Sequence, residues 1–187
     1  MSLLKIAKIG HPVLYKVAEK VAEPCSPKIS GIVSDMIETL KDSGGIGLAA
    51  PQVHISKRIV VFYVPETRAG ESRYDTAENL TIMINPEIEP LIDEKELDWE
   101  ACLSVPDMMG CVLRYTRLRY RWIDLNGSSF ERTAEGFHAR AVQHECDHLD
   151  GILYPQRMNE LSNLIFDSEM HHVFTAECSQ EEAEEKI

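Results

Sequence analysis

The sequence predicts an α+β fold in a single domain, with mostly antiparallel strands packed around a central metal-binding helix and a further helix near the C-terminus. Three observations lead there. The 187 residues, 44% of them hydrophobic, suit one domain with a sizeable core. Short β-branched runs follow one another with turn signals between them, as sequential strands do. The segment His144-Glu145-Cys146-Asp147-His148 sits in a short stretch of helical periodicity bounded by Gly136 and Gly151. No internal repeat or low-complexity linker divides the chain, so the domain takes in residues 1–187, with an acidic tail from about residue 175.

In chain order, residues 11–21 read as a short helix begun near Pro12. A second helix is expected over 30–43, where Ile32, Val33, Met36, Ile37 and Leu40 fall at helical spacing and Gly44-Gly45 ends the run. Residues 58–64 and 80–85 read as strands, and the polar stretch 65–79 between them as an exposed loop. Residues 111–125 and 128–134 form an expected hairpin with Asn126-Gly127 as a two-residue turn. Within it Arg114, Arg117, Arg119 and Arg121 are interleaved with Tyr115, Leu118, Tyr120 and Trp122, predicting a basic strand face whose arginines pair internally or line a sheet surface. Phe137, Ala141 and His144 share one stripe of the next helix, and residues 159–174 read as the last helix.

A formal charge of −12 argues against a nucleic-acid groove, which needs clustered Lys and Arg. The acid-rich stretch 87–100 and the tail residues Glu177, Glu181, Glu182, Glu184 and Glu185 read as solvated surface. No run approaches the roughly 20 apolar residues of a membrane span, and residues 1–8 do not resemble a signal peptide. The five cysteines (Cys25, Cys102, Cys111, Cys146, Cys178) are odd in number and lack disulfide-scaffold spacing. Together these features predict a cytoplasmic protein with reduced thiols.

A helix turns about 100° per residue, which puts His144 and His148 on nearly the same face, able to grip one ion. Glu145 lies about 100° from His144, close enough to handle a proton of water at the ion without occupying a coordination position. Cys146, about 200° away, points elsewhere and is not expected to be a ligand. Taken alone, the pentapeptide suits a polar helix face as well as a metal site. Two other segments offer what it lacks. Glu100-Ala101-Cys102-Leu103-Ser104 supplies a candidate third ligand, although a lone cysteine is commonly a small core residue. Gly45-Ile46-Gly47-Leu48-Ala49-Ala50-Pro51-Gln52 is a small-residue loop that leaves backbone open to whatever lies against it, although such a loop is commonly just a turn.

The three segments together resemble the peptide deformylases, a family marked in this order by G-x-G-x-A-A-x-Q, E-G-C-x-S and H-E-x-x-H. Here they read GIGLAAPQ at 45–52, EACLS at 100–104 and HECDH at 144–148. The likeness extends from His11-Pro12-Val13-Leu14 to Gly151-Ile152-Leu153-Tyr154-Pro155, with one departure: Ala101 stands where the family has glycine.

The resemblance implies that Cys102, His144 and His148 bind one divalent metal, ferrous iron natively, with zinc, nickel or cobalt able to replace it. It implies that Glu145 moves protons and that the Gln52 amide and the Leu103 backbone N–H stabilise an oxyanion. Gly45, Ile46 and Gly47 would offer backbone to an extended peptide, and Ile46, Phe137 and Ala141 would wall a pocket for its methionine. Gly47 and Leu103 would pack too closely to admit an acetyl group, and Glu100 with Arg114 would brace the cysteine loop. The implied reaction is metal-dependent release of formate from formyl-Met nascent peptides.

Relatives can dock on the ribosome through a basic C-terminal helix, and the acidic tail counts against that partner here. Two other readings share the motif. An HExxH metalloprotease would take a downstream Glu or His as its third ligand, and many such enzymes are secreted. A catalytically silent deformylase-like binding protein would have lost Gln52, Cys102 or Glu145, and all three are present.

Overall fold

In the computed structural model, which describes residues 2–173, the apolar run Ile59–Val64 is a strand covered on both faces. That double burial is why it shows no polar alternation. Labelled in chain order, the strands are β1 (Gly47–Ala49), β2 (Ile59–Val64), β3 (Glu78–Pro90), β4 (Lys95–Cys102), β5 (Val105–Tyr115), β6 (Arg117–Ile123), β7 (Ser129–Glu135) and β8 (Leu164–Phe166). The α-helices that lie wholly within the described residues are α1 (Pro27–Ser43) and α2 (Gly136–Leu149). One antiparallel sheet has the order β1-β2-β3-β6-β7, and a second has the order β4-β5-β8.

Alternate residues of β2 face different helices. Ile59 and Val61 join Val33, Met36 and Leu40 of α1, whereas Val60 and Phe62 join Ala139, Val142, Cys146 and Leu149 of α2. The five-stranded sheet therefore lies between the two helices. On its far side α2 meets the second sheet, and the result is an α+β domain around a helix that buries eleven of its residues. No helix among the described residues is long and apolar enough to cross a membrane.

α1 begins three residues before the expected start, because Ser26 takes the N-cap position and Pro27 the first helical one. Gly44, with φ 69°, ends it in the left-handed region. The helix expected over 11–21 shrinks to the 3₁₀ turn Pro12–Tyr15. Beyond it the backbone bonds elsewhere: the Ala18 N–H to Leu149 O, the Glu19 N–H to Ser56 O and the Val21 N–H to Asn85 Oδ1. This segment is a strap across the end of α2, and it passes so close to Gly151 that a Cβ there would meet the backbone of Tyr15 and Lys16.

The strand expected over 80–85 extends to Glu78–Pro90, with a break in register at Asn85, whose φ is 52°. The stretch expected as one strand over 111–125 is two strands in different sheets, divided at Thr116. The odd spacing between Arg114 and Arg117 marks the change: Arg114 faces the interior, while Arg117 and Arg121 pair with Glu135 and Glu131. The β6–β7 turn also differs from expectation. The Gly127 N–H donates to Asp124 O, and Gly127 has φ 80°, so it closes a three-residue loop, Leu125 to Gly127, instead of sharing a two-residue one.

The last helix starts later than residue 159. Leu164 and Ile165 pair with Gly110 and Met109 along the β5 edge, and helix begins only at Met170, running to Val173 where the described residues end. Residue 174 and the acidic tail lie outside the described residues.

His138 sits fully buried in the core with Nε2 3.0 Å from the Tyr120 hydroxyl, and burial together with the Arg132 charge pushes its pKa down to about 4. In the unfolded chain it titrates near 6.5. Neutral His138 therefore contributes its full stability above pH 6.5 and loses it as pH falls from 6.5 to about 4, a difference worth about 3 kcal/mol. Urea titrations of His138→Gln across that window are expected to show a flatter pH dependence than the parent protein.

Candidate metal centre

β4 ends at Cys102, the chain turns through Leu103 and Ser104, and β5 starts at Val105 opposite Cys102. This tight hairpin end points the thiol at α2. Cys102 Sγ lies 3.3 Å from His148 Nε2, and one ligand atom from each of Cys102, His144 and His148 falls within 4.8 Å of the others. The two histidines are a helical turn apart, with ring centroids separated by 5.0 Å. Cys146 is buried among Val142, Leu149 and Ala18 on another side of α2, outside this cluster, and burial pushes its thiol pKa well up.

Charge in the cluster is divided in a way that suits a cation. Burial alone would raise the Cys102 thiol, but His148 and His144 beside it hold its pKa well below the ordinary range. Burial would likewise lower His144, but Cys102 and Glu100 hold it well above its usual value. A thiolate among imidazoles that share protons is a donor set from which a divalent ion displaces those protons.

His144 Nδ1 is 2.8 Å from Glu100 Oε2, which fixes the ring and turns Nε2 toward the cluster. Burial works against ionised Glu100, but Arg114 and His144 keep its pKa far below the normal carboxylate range. Arg114 grips both oxygens of Glu100, at 2.8 and 2.9 Å, and reaches Asp147 at 2.6 Å. Asp147 is in turn held by Arg157 at 2.6 and 3.1 Å. Glu100 thus stands apart from the acid-rich stretch that contains it, which is otherwise largely exposed.

Gln52 is 1% exposed. Its Oε1 accepts the Ala49 N–H at 2.8 Å, which assigns the amide orientation. Nε2 then donates to Ser104 Oγ at 3.2 Å and lies 3.6 Å from Cys102 Sγ. Glu145 is 5% exposed, and its Oε2 has no hydrogen-bond partner among the described residues. Burial raises its pKa, against the pull of His144 and His148. A Cβ on Gly47 would run into this carboxylate, and one on Gly45 would come within 2.8 Å of Leu103 Cδ1. At Gly45 the contact is with the end of a flexible side chain that can shift, whereas at Gly47 it involves much of the Glu145 side chain, so close approach favours glycine most at Gly47.

These residues line a cleft of about 600 Å³ that includes Gly45, Ile46, Gly47, Gln52, Cys102, Leu103, His144 and Glu145. Next to it, Ile46, Phe137 and Ala141 meet Trp99, Met109 and Arg68 around a smaller pocket of about 230 Å³. A larger groove of about 700 Å³ shares Gly44 and Gly45 with the cleft but contains none of the candidate ligands Cys102, His144 and His148. β1 is an edge strand of its sheet, and its three residues are buried.

The sequence motifs match the family model for polypeptide deformylase over residues 3–164. The chain belongs to the polypeptide deformylase family. It is 48% identical over 158 residues to peptide deformylase 1 of Nitrosomonas europaea, covering 83% of this chain and 88% of that protein. Peptide deformylase 2 of Ralstonia nicotianae is 45% identical over 163 residues, covering 86% and 90%. Among solved structures, the Ehrlichia chaffeensis peptide deformylase in complex with actinonin superposes with a TM-score of 0.80 at 33% identity, covering 95% of this chain and 99% of that one. As a deformylase, the protein is a metal-dependent enzyme that removes the N-terminal formyl group of nascent polypeptides.

Ala101 costs this deformylase no backbone strain. Among the described non-glycine residues only His54, Asn85 and Asp107 have positive φ, and Ala101 is exposed. Several contributors escape a reading of the motifs. Arg140, one turn before His144, donates to Glu100; Asp147, a spacer within the motif, anchors Arg114; Lys8 Nζ bonds Leu103 O at 2.7 Å. Arg68, in the loop after β2, lies over the Phe137 ring at 4.1 Å. Of these, Asp147 and Arg140 carried a signal, as charges on the helix side that the spacing of the histidines marked as buried.

Replacing Glu100 with Ala leaves Arg114 and Arg140 buried without their shared carboxylate. The expected cost is about 3–5 kcal/mol in urea unfolding, with metal affinity weakened about 10- to 100-fold when titrated against a competing chelator.

Proposed function

We propose that Cys102, His144 and His148 hold one divalent ion, ferrous iron in the native enzyme with zinc, nickel or cobalt able to stand in, and that Glu145, Gln52 and Leu103 carry the deformylation. The observation that carries this reading is Glu145 Oε2, a buried acceptor without a partner among the described residues, beside three ligand atoms within 4.8 Å. A bound ion there supplies Lewis acidity and lowers the pKa of water toward neutrality.

Glu145 takes the proton of the attacking water and later returns it to the departing amine. Its burial favours that cycle, because a raised pKa brings the carboxylate nearer to the basicity the transfer needs. The oxyanion that develops on the formyl oxygen is met by Gln52 Nε2 and the Leu103 N–H, donors set in place before charge appears. Ala49 and Ser104 hold the Gln52 amide from both ends, and the second Nε2 hydrogen, which faces Cys102 Sγ at 3.6 Å, is the one that would turn to the oxyanion. Lys8 fixes Leu103 through its carbonyl.

The peptide runs along Gly45, Ile46 and Gly47 and places its methionine among Ile46, Phe137 and Ala141. Glu145 lies close over Gly47 and Leu103 over Gly45, and close packing there is what would exclude an acetyl methyl while admitting the hydrogen of a formyl carbon. The substrates are formyl-Met nascent peptides in the cytoplasm, a setting that agrees with the free thiols of Cys25, Cys102 and Cys146.

Formate release from a formyl-Met peptide by anaerobically prepared, iron-loaded enzyme tests these assignments. Glu145→Ala is expected to keep its metal yet lose about 10²- to 10⁴-fold in kcat/KM. For Gln52→Ala the expected loss is about 10²- to 10³-fold, mostly in kcat. Full activity in either variant would remove that residue from the mechanism, and equal turnover of an acetyl-Met peptide would sink the steric account of selectivity.

A further inference from the structure

Arg140 is a buried guanidinium that the mechanism above does not use. It is 5% exposed and lies on α2 one turn before His144. One terminal nitrogen donates to Val112 O at 2.8 Å, Glu100 Oε1 at 3.0 Å and Asp98 O at 3.3 Å, and the other donates to Glu96 O at 2.8 Å. Its Nε lies 3.8 Å from the Asp98 carboxylate. All these acceptors belong to β4 and β5, the hairpin that carries Cys102.

The ligands of the metal centre come from two separate elements. Cys102 is on the hairpin and the histidines are on α2, so the three donor atoms stay together only if hairpin and helix keep a fixed relation. Two arginines cross that boundary in opposite senses. Arg114 reaches from β5 to Asp147 on α2, and Arg140 reaches from α2 to the hairpin carbonyls. They meet on Glu100, whose Oε1 accepts from both while Oε2 accepts from Arg114 and faces His144 Nδ1.

We propose that Arg140 is a positioning residue for the metal centre: it locks Glu100, and through it the His144 ring, and clamps the cysteine hairpin to the histidine helix, thereby setting how firmly the ion is retained. The inference rests on Cys102, His144 and His148 being the ligands. A planar fork with five N–H groups serves several acceptors at once, which an ammonium with three donors on a flexible stem does not. Without Arg140, Glu100 Oε1 keeps only Arg114 Nε of its two donors, and the carboxylate can tilt against the histidine it orients.

The test uses cobalt-substituted holoenzyme of the parent protein, R140M and R140K, with R121M, which removes an exposed arginine of β6, as a control. The readouts are the thiolate-to-cobalt and d–d absorption bands, the rate of cobalt loss to excess chelator, and urea stability without metal. R140M is expected to lose cobalt about tenfold or more faster than the parent, with shifted d–d bands. R140K, which restores charge but not the fork, is expected to fall between them, and R121M to match the parent. Loss of urea stability with cobalt release within about twofold of the parent and unchanged bands would reduce Arg140 to a fold-stabilising residue and overturn the proposal. Should R140M fail to fold, R140K decides by the same readouts, and parent-like cobalt retention there also overturns it. A parent protein without a thiolate-to-cobalt band would overturn the ligand assignment itself, which is distinguishable from a parent-like R140M beside a normal parent.

Discussion

A carboxylate taken out of water costs several kcal/mol unless its lone pairs are met by donors and its charge by cations. Glu100 meets both conditions, with Arg114 and Arg140 on one oxygen and Arg114 and His144 on the other. The rest of the centre depends on that arrangement. Glu100 orients a histidine, sits two residues before Cys102 on the same strand, and ties two arginines that bridge the hairpin to α2. Such an ionic cluster adds little to net stability compared with a well-packed apolar core, because the desolvation of four charges offsets most of their attraction. What it gives is geometry. Each member has one satisfying arrangement, and that arrangement holds Cys102 Sγ 3.3 Å from His148 Nε2.

The packing around α2 serves the same end. The helix is enclosed by the five-stranded sheet on one side and the β4–β5–β8 sheet on the other, and the N-terminal strap closes its end at Leu149. A helix so enclosed carries its side chains at defined depth. His138, Val142 and Cys146 go to the apolar core, whereas Arg140, His144, Asp147 and His148 turn toward the second sheet. Glu145 falls between these faces and emerges under Gly47, where the absence of a side chain makes room for it. The glycine loop and α2 are thus matched parts, since a β-carbon at Gly47 would displace the Glu145 carboxylate.

Acidic composition and a site built on thiolate and carboxylate are compatible because the charges lie in different places. Surface carboxylates such as Glu87, Glu89 and Glu131 face lysine and arginine in solvent, where ion pairs contribute at most about 1 kcal/mol. In the candidate metal centre Arg114 and Arg140 are buried and share Glu100. The cleft itself is lined by both charge types, Lys8 as well as Asp107 and Asp167, and the smaller pocket beside it is mainly apolar.

The spacing of His144 and His148, the neighbouring Glu145 and the direction of Cys146 away from the cluster were legible in the chain because helical geometry is local and repeats every few residues. Family motifs extended that reading to Cys102, Gln52 and the glycine loop. Local periodicity did less well where long-range pairing competes with it. Residues 11–21 gave up helix for bonds to Leu149, Ser56 and Asn85, and Leu164–Phe166 for the β5 edge. Lys8 and Arg68 carry no spacing that announces a role, and Arg140, although one turn before His144, does not announce its partners, since each acts on an element distant in sequence. Their partners were decided only when the hairpin, the helix and the N-terminal strap came into contact, because the worth of a buried charge is set by the groups around it in space and not by its neighbours along the chain.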